Sequence, residues 1–234
     1  MNENKKFVYH GVQIEIPYQN YKHQKNEATY DRLKNSRYEN EEISFILKNL
    51  KAEDRALDLG ASLGVSSCII ASKLNDSSNL VAVEANPELT KALTNNKEIN
   101  NLNFHIEHAP ASSINKEVNF NFNGLSLSGS IVRKSVLESN KWGEYQSISL
   151  KTITPIDIEN KYDLSFNFLS CDIEGEEYNL LNDLYDYFKN FDTMIVEFHF
   201  VNHTQEERLD IHKKYSTNFD IKTNGNTSCF IKKS

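Results

Sequence analysis

The sequence predicts an α/β fold with a doubly wound, mostly parallel sheet, a β-rich insertion and an antiparallel C-terminal hairpin. Three observations predict it. Short continuous apolar runs, typical of strands covered on both faces, alternate with segments of helical period. Two of these runs, Ala56–Leu59 and Leu80–Val83, each lead through a polar or glycine-rich turn into a helix start. The chain closes on two β-like runs around Asn224-Gly225, which is a hairpin signal.

The composition limits the class of function. The 234 residues include 26 basic and 33 acidic ones, for a formal charge of −7, which disfavours nucleic-acid or anionic-membrane binding. Cys68, Cys171 and Cys229 lack metal-binding spacing and lie in apolar runs, so we expect core thiols in a reducing compartment. No stretch has the length and apolarity of a signal peptide or a membrane span, so we expect a cytoplasmic protein.

The first part of the chain divides near residue 40. Alternation in residues 7–17 predicts a strand pair, and residues 18–40 have no clean period, so residues 1–40 are interpreted as a strand and lid extension. Residues 41–234 are interpreted as the main domain. It opens with a helix whose apolar positions recur at i, i+3, i+4 and i+7: Ile43, Ile46, Leu47 and Leu50.

The remaining elements follow in alternation. Asn86-Pro87 predicts a capped helix start, and residues 103–106 a third strand that ends near Ala109. Residues 117–153 break the rhythm and are interpreted as the β insertion. The later predictions are a strand over 166–172, a helix over 176–190, a strand over 193–198 and a helix opened by the capping box of Thr204 and Glu207.

The glycine-rich turn after the first parallel strand is the predicted cofactor site. Gly60 and Gly64 bracket Ala61 and Ser62 in a GxxxG pattern, which lacks the middle glycine of a dinucleotide fingerprint. The helix that follows offers free backbone N–H groups to an anionic group. Asp58, just before the turn, disfavours a pyrophosphate and suits a ligand that carries an ammonium or sulfonium group.

The end of the next strand narrows the ligand. Glu84 stands where a carboxylate can accept hydrogen bonds from both ribose hydroxyls of a nucleoside, and Ala85 and Asn86 follow it. Together with Asp58 and the glycines, this pattern predicts an adenosine that carries an amino-acid tail, as in S-adenosylmethionine. The alternative is that the glycines only make a tight turn and that Glu84 is a solvated strand end.

A second group of polar residues follows the fourth and fifth strands. Asp172 and Glu174 come after one strand, and Glu197 and His199 after the other, at the edge where a substrate would lie. Glu176 and Glu177 are interpreted as acids at a helix start, where they serve the helix dipole.

At this point the sequence resembles the FkbM family of methyltransferases. The motifs that carry the resemblance are LDLGASLG (57–64), VAVEANPEL (81–89), CDIEGEEYNLL (171–181) and MIVEFH (194–199). Tyr38-Glu39 and KTITPIDI (151–158) are also similar to segments of that family, and Ser62 stands where the family usually has asparagine. The resemblance covers residues 38–200 and implies a Rossmann-like class I methyltransferase domain.

The resemblance also implies O-methylation, dependent on S-adenosylmethionine, of a sugar or other small hydroxylated product. The expected cofactor-binding residues are Glu39, Asp58, Gly60, Ala61, Ser62, Gly64, Glu84, Ala85, Asn86, Ala109 and Asp172. The expected catalytic residues are His199, as the first choice of base, with Asp172 and Glu174. A divalent ion on Asp172, Glu174 and Glu197 is an alternative that we favour less than a site without metal.

Two other functions remain open on the sequence. A non-catalytic adenosyl-ligand binding module would share the cofactor turn. A nucleotide-dependent oxidoreductase is disfavoured by the absent middle glycine. The acceptor, a small hydroxylated molecule such as a sugar or glycan, is expected to meet loops in residues 18–40 and 117–150. The sequence gives no oligomeric state.

Overall fold

The structure is a computed structural model. The residues that it describes are 4–17, 31–32, 34–35, 37–122, 146–200 and 202–233. The strands are β1 (Lys5–Tyr9), β2 (Val12–Ile16), β3 (Ala56–Leu59), β4 (Leu80–Val83), β5 (His105–Glu107), β6 (Glu117–Phe122), β7 (Gln146–Lys151), β8 (Phe168–Cys171), β9 (Thr193–Glu197), β10 (Phe219–Asn224) and β11 (Thr227–Lys232). The α-helices with named bounds are α1 (Asn40–Asn49), α2 (Val65–Lys73), α3 (Pro87–Ile99), α4 (Pro155–Tyr162), α5 (Glu177–Asp183), α6 (Tyr185–Phe188) and α7 (Gln205–Tyr215).

A seven-stranded sheet forms the centre of the described structure, in the order β5-β4-β3-β8-β9-β11-β10. The first five strands of that order are parallel, and β11 and β10 add an antiparallel edge. The order reverses at β3, which pairs with β4 on one side and with β8 on the other. In such Rossmann-like sheets the ligand crevice lies outside the carboxyl ends of the strands at this reversal.

Each face of the sheet carries its own core. Helices α1, α2 and α3 and the β1–β2 hairpin cover one face, and helices α4 to α7 cover the other. All four residues of each of β3, β4 and β8 are buried, which explains why these strands are mostly apolar. The three cysteines are free and buried, as the sequence predicted.

The N-terminal hairpin is fastened to α3 by asparagine side chains. The amide of Asn96 accepts from the backbone N–H of Glu15 (2.7 Å) and donates to the carbonyl of Leu63 (2.8 Å). The amide of Asn100 is paired with both backbone groups of Gln13. These polar contacts fix the hairpin next to the glycine-rich turn that contains Leu63.

Several predicted boundaries differ from the structure. The third strand is β5, one to two residues later than predicted. The predicted helix over 176–190 is two helices, α5 and α6, that meet at Leu184. Helix α4 was not predicted, although Thr154 and Asp157 form its capping box and Pro155 is its first residue. The start of α4 was not recognised because the helix begins only two residues after the predicted β insertion, which ended at residue 153.

The predicted insertion is represented by β6 and β7, which pair antiparallel as a separate two-stranded sheet. The rest of that segment, and most of the expected lid over residues 18–40, lie outside the described residues. Among the described helices, none combines the length and the apolar character needed to cross a membrane.

Candidate active site at the carboxyl edge of the sheet

The glycine-rich turn lies where β3 and β8 end side by side. Gly60 has a φ of +87°, and a Cβ there would lie 1.8 Å from the carbonyl oxygen of Asp172. The backbone N–H of Asp172 donates to the carbonyl of Leu59 at 2.8 Å. Only glycine therefore lets the turn pass so close to the end of β8. Gly64, with a φ of +83°, packs against a side chain: a Cβ there would lie 2.4 Å from Cδ1 of Leu93 in α3.

Ser62 occupies the tip of the turn in a left-handed conformation, with a φ of +50°. Asparagine tolerates this region better than serine does, which gives a physical reason for the asparagine usual at this position. The hydroxyl of Ser62 is buried without a hydrogen-bond partner among the described residues. A buried hydroxyl of this kind is a place where the polar atom of a ligand would be expected.

Glu84 is bound to the turn through backbone groups. Its two carboxylate oxygens accept from the N–H of Ser62 (2.7 Å) and from the N–H of Asn86 (2.6 Å). Burial raises the pKa of Glu84 to about 7, against the opposing effect of these hydrogen bonds. Glu84 is thus no solvated strand end. It directly follows β4, and the backbone N–H groups of Asn86, Ser62 and Ala85 stabilise its ionised form.

Three other residues expected to bind the cofactor, Ala85, Asn86 and Ala109, lie near Glu84 at the ends of β4 and β5. Ala85 and Ala109 are buried, and the imidazole of His108 lies 3.0 Å from the carbonyl of Ala85. Asn86 is fully buried, and its side chain accepts from the N–H of Glu88 as the cap of α3. The ends of β4 and β5 are therefore held together at this edge.

Asp58 faces helices α1 and α2. It is 2% exposed, and its carboxylate accepts from the hydroxyls of Ser66 and Ser67 in the first turn of α2. Burial raises the pKa of Asp58 to about 6, against these hydrogen bonds. In this arrangement Asp58 ties β3 to α2, a contact that the motif by itself does not reveal.

Two acids stand at the start of α1, close to the ends of β8 and β9. Glu42 is buried and accepts from the hydroxyl of Ser170. Burial, followed by the charges of Glu42 and Asp172, raises the pKa of Glu39 well above its ordinary value. Glu39, Glu42 and Asp172 thus form one electrostatic group, in which each negative charge makes the next one more costly.

His199, two residues past β9, is surrounded by carboxylates. Its Nδ1 lies 2.7 Å from Oε1 of Glu177, and its Nε2 lies 3.5 Å from Oδ1 of Asp172 and 4.0 Å from Oε2 of Glu174. Burial lowers the pKa of His199, but the hydrogen bond to Glu177 and the three acid charges raise it to about 10. The imidazole is therefore a cation at neutral pH, with a hydrogen on each nitrogen. Positive charge near these acids would lower its pKa.

Glu177 is the site residue that the sequence interpretation missed. It was interpreted as a helix-dipole acid, yet its side chain is fully buried and holds His199. The available signal was that Glu177 opens the helix after β8 and His199 stands two residues past the neighbouring strand β9. In the described part of the chain, no three His, Cys, Asp or Glu side chains could hold a metal ion, so the alternative ion on Asp172, Glu174 and Glu197 finds no ligand set there.

An open groove of about 650 Å³ runs along α1, beside this edge. The polar residues that line it are His10, Asn40, Glu41, Ser44, Lys48 and Asn224. The sheet register connects it to the acidic edge, because Asn224 pairs with Thr227, which pairs with Glu197. Two strand spacings, about 10 Å, separate Asn224 from Glu197.

Comparison with known proteins adds a family match. A family profile described as the methyltransferase FkbM domain matches residues 58–220. A curated protein, the hexuronic acid methyltransferase AglP of Haloferax volcanii, is 23% identical over 169 residues, which are 72% of this chain and 65% of that protein. The chain thus spans less than two thirds of the length of this relative.

Solved structures with a similar fold are more distant in sequence. A putative rRNA-methylase from Clostridium thermocellum is 10% identical, with a TM-score of 0.49 over 82% of this chain and 93% of that one. The tRNA (uracil-54, C5)-methyltransferase of Pyrococcus abyssi, solved with S-adenosyl-L-homocysteine, is 12% identical, with a TM-score of 0.47 over 98% of this chain and 44% of that one. Neither likeness supports a functional assignment.

Proposed function

This chain belongs to the methyltransferase FkbM domain family, and on that premise we propose that it transfers a methyl group from S-adenosylmethionine to a hydroxyl of a sugar or other small biosynthetic product. One observation carries the proposal. Glu84, a buried carboxylate placed where it could bind the ribose of a nucleoside, lies on one side of the strand reversal at β3. The cluster of His199 and its carboxylates lies on the other side, with Gly60 between them.

The residues of the turn fit the cofactor. Glu84 would hold the ribose hydroxyls, and the unpartnered hydroxyl of Ser62 would meet a further polar atom. Ala85, Asn86 and Ala109, all buried where β4 and β5 end, would line the adenine. Because the turn is closed by backbone hydrogen bonds, the site is formed before a ligand arrives.

Acidic residues across the strand reversal fit the other end of the cofactor. Glu39 and Asp172 would attract the ammonium group of its amino-acid tail, since burial and mutual repulsion make their negative charges costly without a cation. Asp58 would act through α2, because its carboxylate is occupied by serine hydroxyls. When bound, S-adenosylmethionine supplies a methyl group that its sulfonium makes electrophilic.

His199 is the proposed base. Its Nε2 faces Asp172 and Glu174, so a hydroxyl brought between them would have a proton acceptor at hydrogen-bond range. The imidazole must first lose its proton, which happens when positive charge next to Asp172 or Glu174 lowers the pKa of His199. Asp172 and Glu174 then orient the hydroxyl and stabilise the imidazolium that forms when Nε2 of His199 takes its proton.

The groove along α1 is the proposed acceptor site. Its volume suits a molecule of one or two sugar rings, and its amide, hydroxyl and imidazole groups match the hydroxyls of a sugar. The curated relative is named for a hexuronic acid, and Lys48 in the groove offers a charge for an acceptor carboxylate. A uronic acid or a glycan that contains one is therefore the first acceptor to test.

The test is transfer of a radiolabelled methyl group to a panel of uronic acids, neutral sugars and glycans. We expect label in at least one hydroxylated acceptor, and a loss of about 10²-fold or more in His199→Asn with S-adenosylhomocysteine affinity unchanged. Equal transfer by His199→Asn would contradict its role as base. Binding of S-adenosylhomocysteine without transfer to any member would favour the non-catalytic module.

A further inference from the structure

Glu177 makes an unusual set of contacts for an acid in the first turn of a helix. Its side chain has no exposed surface. Oε2 accepts from the backbone N–H of Gly175 at 2.6 Å. Oε1 accepts from the backbone N–H of His199 at 3.0 Å and lies 2.7 Å from its Nδ1. A single carboxylate thus binds the turn after β8 to the residue that follows β9.

These contacts determine the tautomer of His199. A carboxylate has acceptors only, so Nδ1 of the ring must carry the hydrogen in the contact with Glu177. The other nitrogen, Nε2, then faces Asp172 and Glu174, where it is free to gain or lose a proton. The backbone N–H of His199 is bound to the same oxygen, so the ring is held at two points.

The helix dipole does not account for this arrangement. An acid that only serves the positive end of α5 would need no contact with β9, as Glu176 illustrates. Glu176 is also buried and stands at the same helix end, yet its carboxylate contacts Ser112, Lys116 and Asn179, and none of its contacts is with His199. The two neighbouring acids therefore have separate roles.

We propose that Glu177 is a positioning residue, which holds His199 in the Nδ1–H tautomer with Nε2 directed at the acceptor hydroxyl. The inference rests on the proposed function, in which His199 is the base. Glu177 does not touch the reacting atoms. It resembles in logic the buried carboxylates that orient the histidine of hydrolytic triads.

The chemistry of the position requires a carboxylate. Three N–H donors converge on its two oxygens, and each oxygen must accept. Glutamine has an acceptor on only one terminal atom, so Glu177→Gln would leave either Gly175 or His199 facing an NH₂ group. The substitution also removes one negative charge from those around the ring. The charged groups that face His199 are Asp172, Glu174, Glu177 and Glu197.

The direct experiment is nitrogen NMR of the histidines in the full chain, with His199 assigned by comparison with His199→Asn. In the wild-type protein we expect Nδ1 to remain protonated throughout the titration and Nε2 to titrate. In Glu177→Gln we expect the tautomer to become mixed and the midpoint of the titration to fall. An Nε2–H tautomer in the wild type would overturn the proposal even if the variant failed to fold.

Kinetics gives the second readout, with Glu176→Gln as the matched control. We expect kcat of Glu177→Gln to fall by about 10²-fold or more, with KM for the acceptor and S-adenosylhomocysteine affinity changed by less than about threefold. Glu176→Gln should retain its kcat. An unaltered His199 titration in Glu177→Gln, or an equal loss in both variants, would overturn the proposal. The tautomer of His199 is measured by NMR without any methyl transfer. Failure of the proposed function can therefore be distinguished from failure of the proposed role of Glu177.

Discussion

Two glycines show how the same backbone angle has different consequences in different surroundings. Gly60 and Gly11 have φ values of +87° and +89°. A Cβ on Gly11, in the β1–β2 turn, would meet nothing within 4 Å, whereas on Gly60 it would overlap the carbonyl of Asp172. A substitution at Gly11 therefore tests the strain of a positive φ alone, whereas one at Gly60 also tests the close approach of the turn to Asp172.

We expect Gly11→Ala to lower the free energy of unfolding by about 1 kcal/mol, the strain alone. Gly60→Ala should cost roughly 3 kcal/mol or more, because the end of β8 must also move. Urea denaturation of both variants measures the difference. Equal losses in the two variants would show that the approach of β3 to β8 is looser than described.

Glu42 provides a pH test of the buried acids. Burial and the charge of Asp58 raise its pKa from 4.5 to about 7, against the hydrogen bond from Ser170. A group whose folded pKa is raised contributes stability below its unfolded pKa and loses it as pH rises through the folded value. The contribution of Glu42 to the free energy of unfolding is therefore lost between about pH 4.5 and pH 7.

Glu42→Gln cannot ionise, and its amide oxygen can still accept from Ser170. We expect the free energy of unfolding of this variant, relative to wild type, to rise by about 3 kcal/mol between pH 4.5 and pH 8. Glu88→Gln, at an exposed ion pair with Lys91, is the control and should show little change. A parallel pH dependence of wild type and Glu42→Gln would contradict the raised pKa.

At the scale of single residues, the sequence indicated positions better than contacts. Glu84 follows β4 as expected, and its backbone partners come from its place beside the turn. The contacts of Asp58 with Ser66 and Ser67 depend on which side of β3 it faces. The link between Glu177 and His199 joins residues 22 apart, one at the start of α5 and the other past the end of β9. No local pattern specifies such a contact.

Among the elements, the buried strands were the easiest to predict. Ala56–Leu59 and Leu80–Val83 have the predicted bounds because both faces are covered and, except for Asp58, the runs are apolar. Helix α1 was predicted with Leu47 on its buried stripe, but Leu47 is 39% exposed. The period of the apolar residues predicts which face of the helix is buried. The width of the buried part depends on the tertiary packing.

The exposed face of α1 gives a test of the proposed acceptor groove. Ser44 is exposed within the groove, and a tryptophan there would fill part of it. We expect Ser44→Trp to raise KM for the acceptor about tenfold or more, with S-adenosylhomocysteine affinity unchanged. Ser72→Trp, an exposed serine near the end of α2 that does not line the groove, is the control. An unchanged KM in Ser44→Trp would place the acceptor elsewhere.

For the whole molecule, the doubly wound sheet was predicted from alternation alone, and the structure confirms it. The strand order was beyond the sequence, because pairing partners such as β3 and β8 lie more than 100 residues apart and only global packing selects them. The insertion of β11 between β9 and β10 is likewise a tertiary outcome. It brings Asn224 and the groove to the edge that holds His199.

The central claim is that the edge with Gly60 and Glu84 binds an adenosyl amino acid, and titration calorimetry with S-adenosylhomocysteine tests it most directly. Loss of a charged hydrogen-bond acceptor costs about 1.5–3 kcal/mol, so we expect Glu84→Ala to bind roughly 10- to 100-fold more weakly than wild type. Glu88→Ala, two residues past Asn86 and exposed, should bind as wild type does. No binding to the wild-type protein, or equal affinity in Glu84→Ala, would contradict the claim.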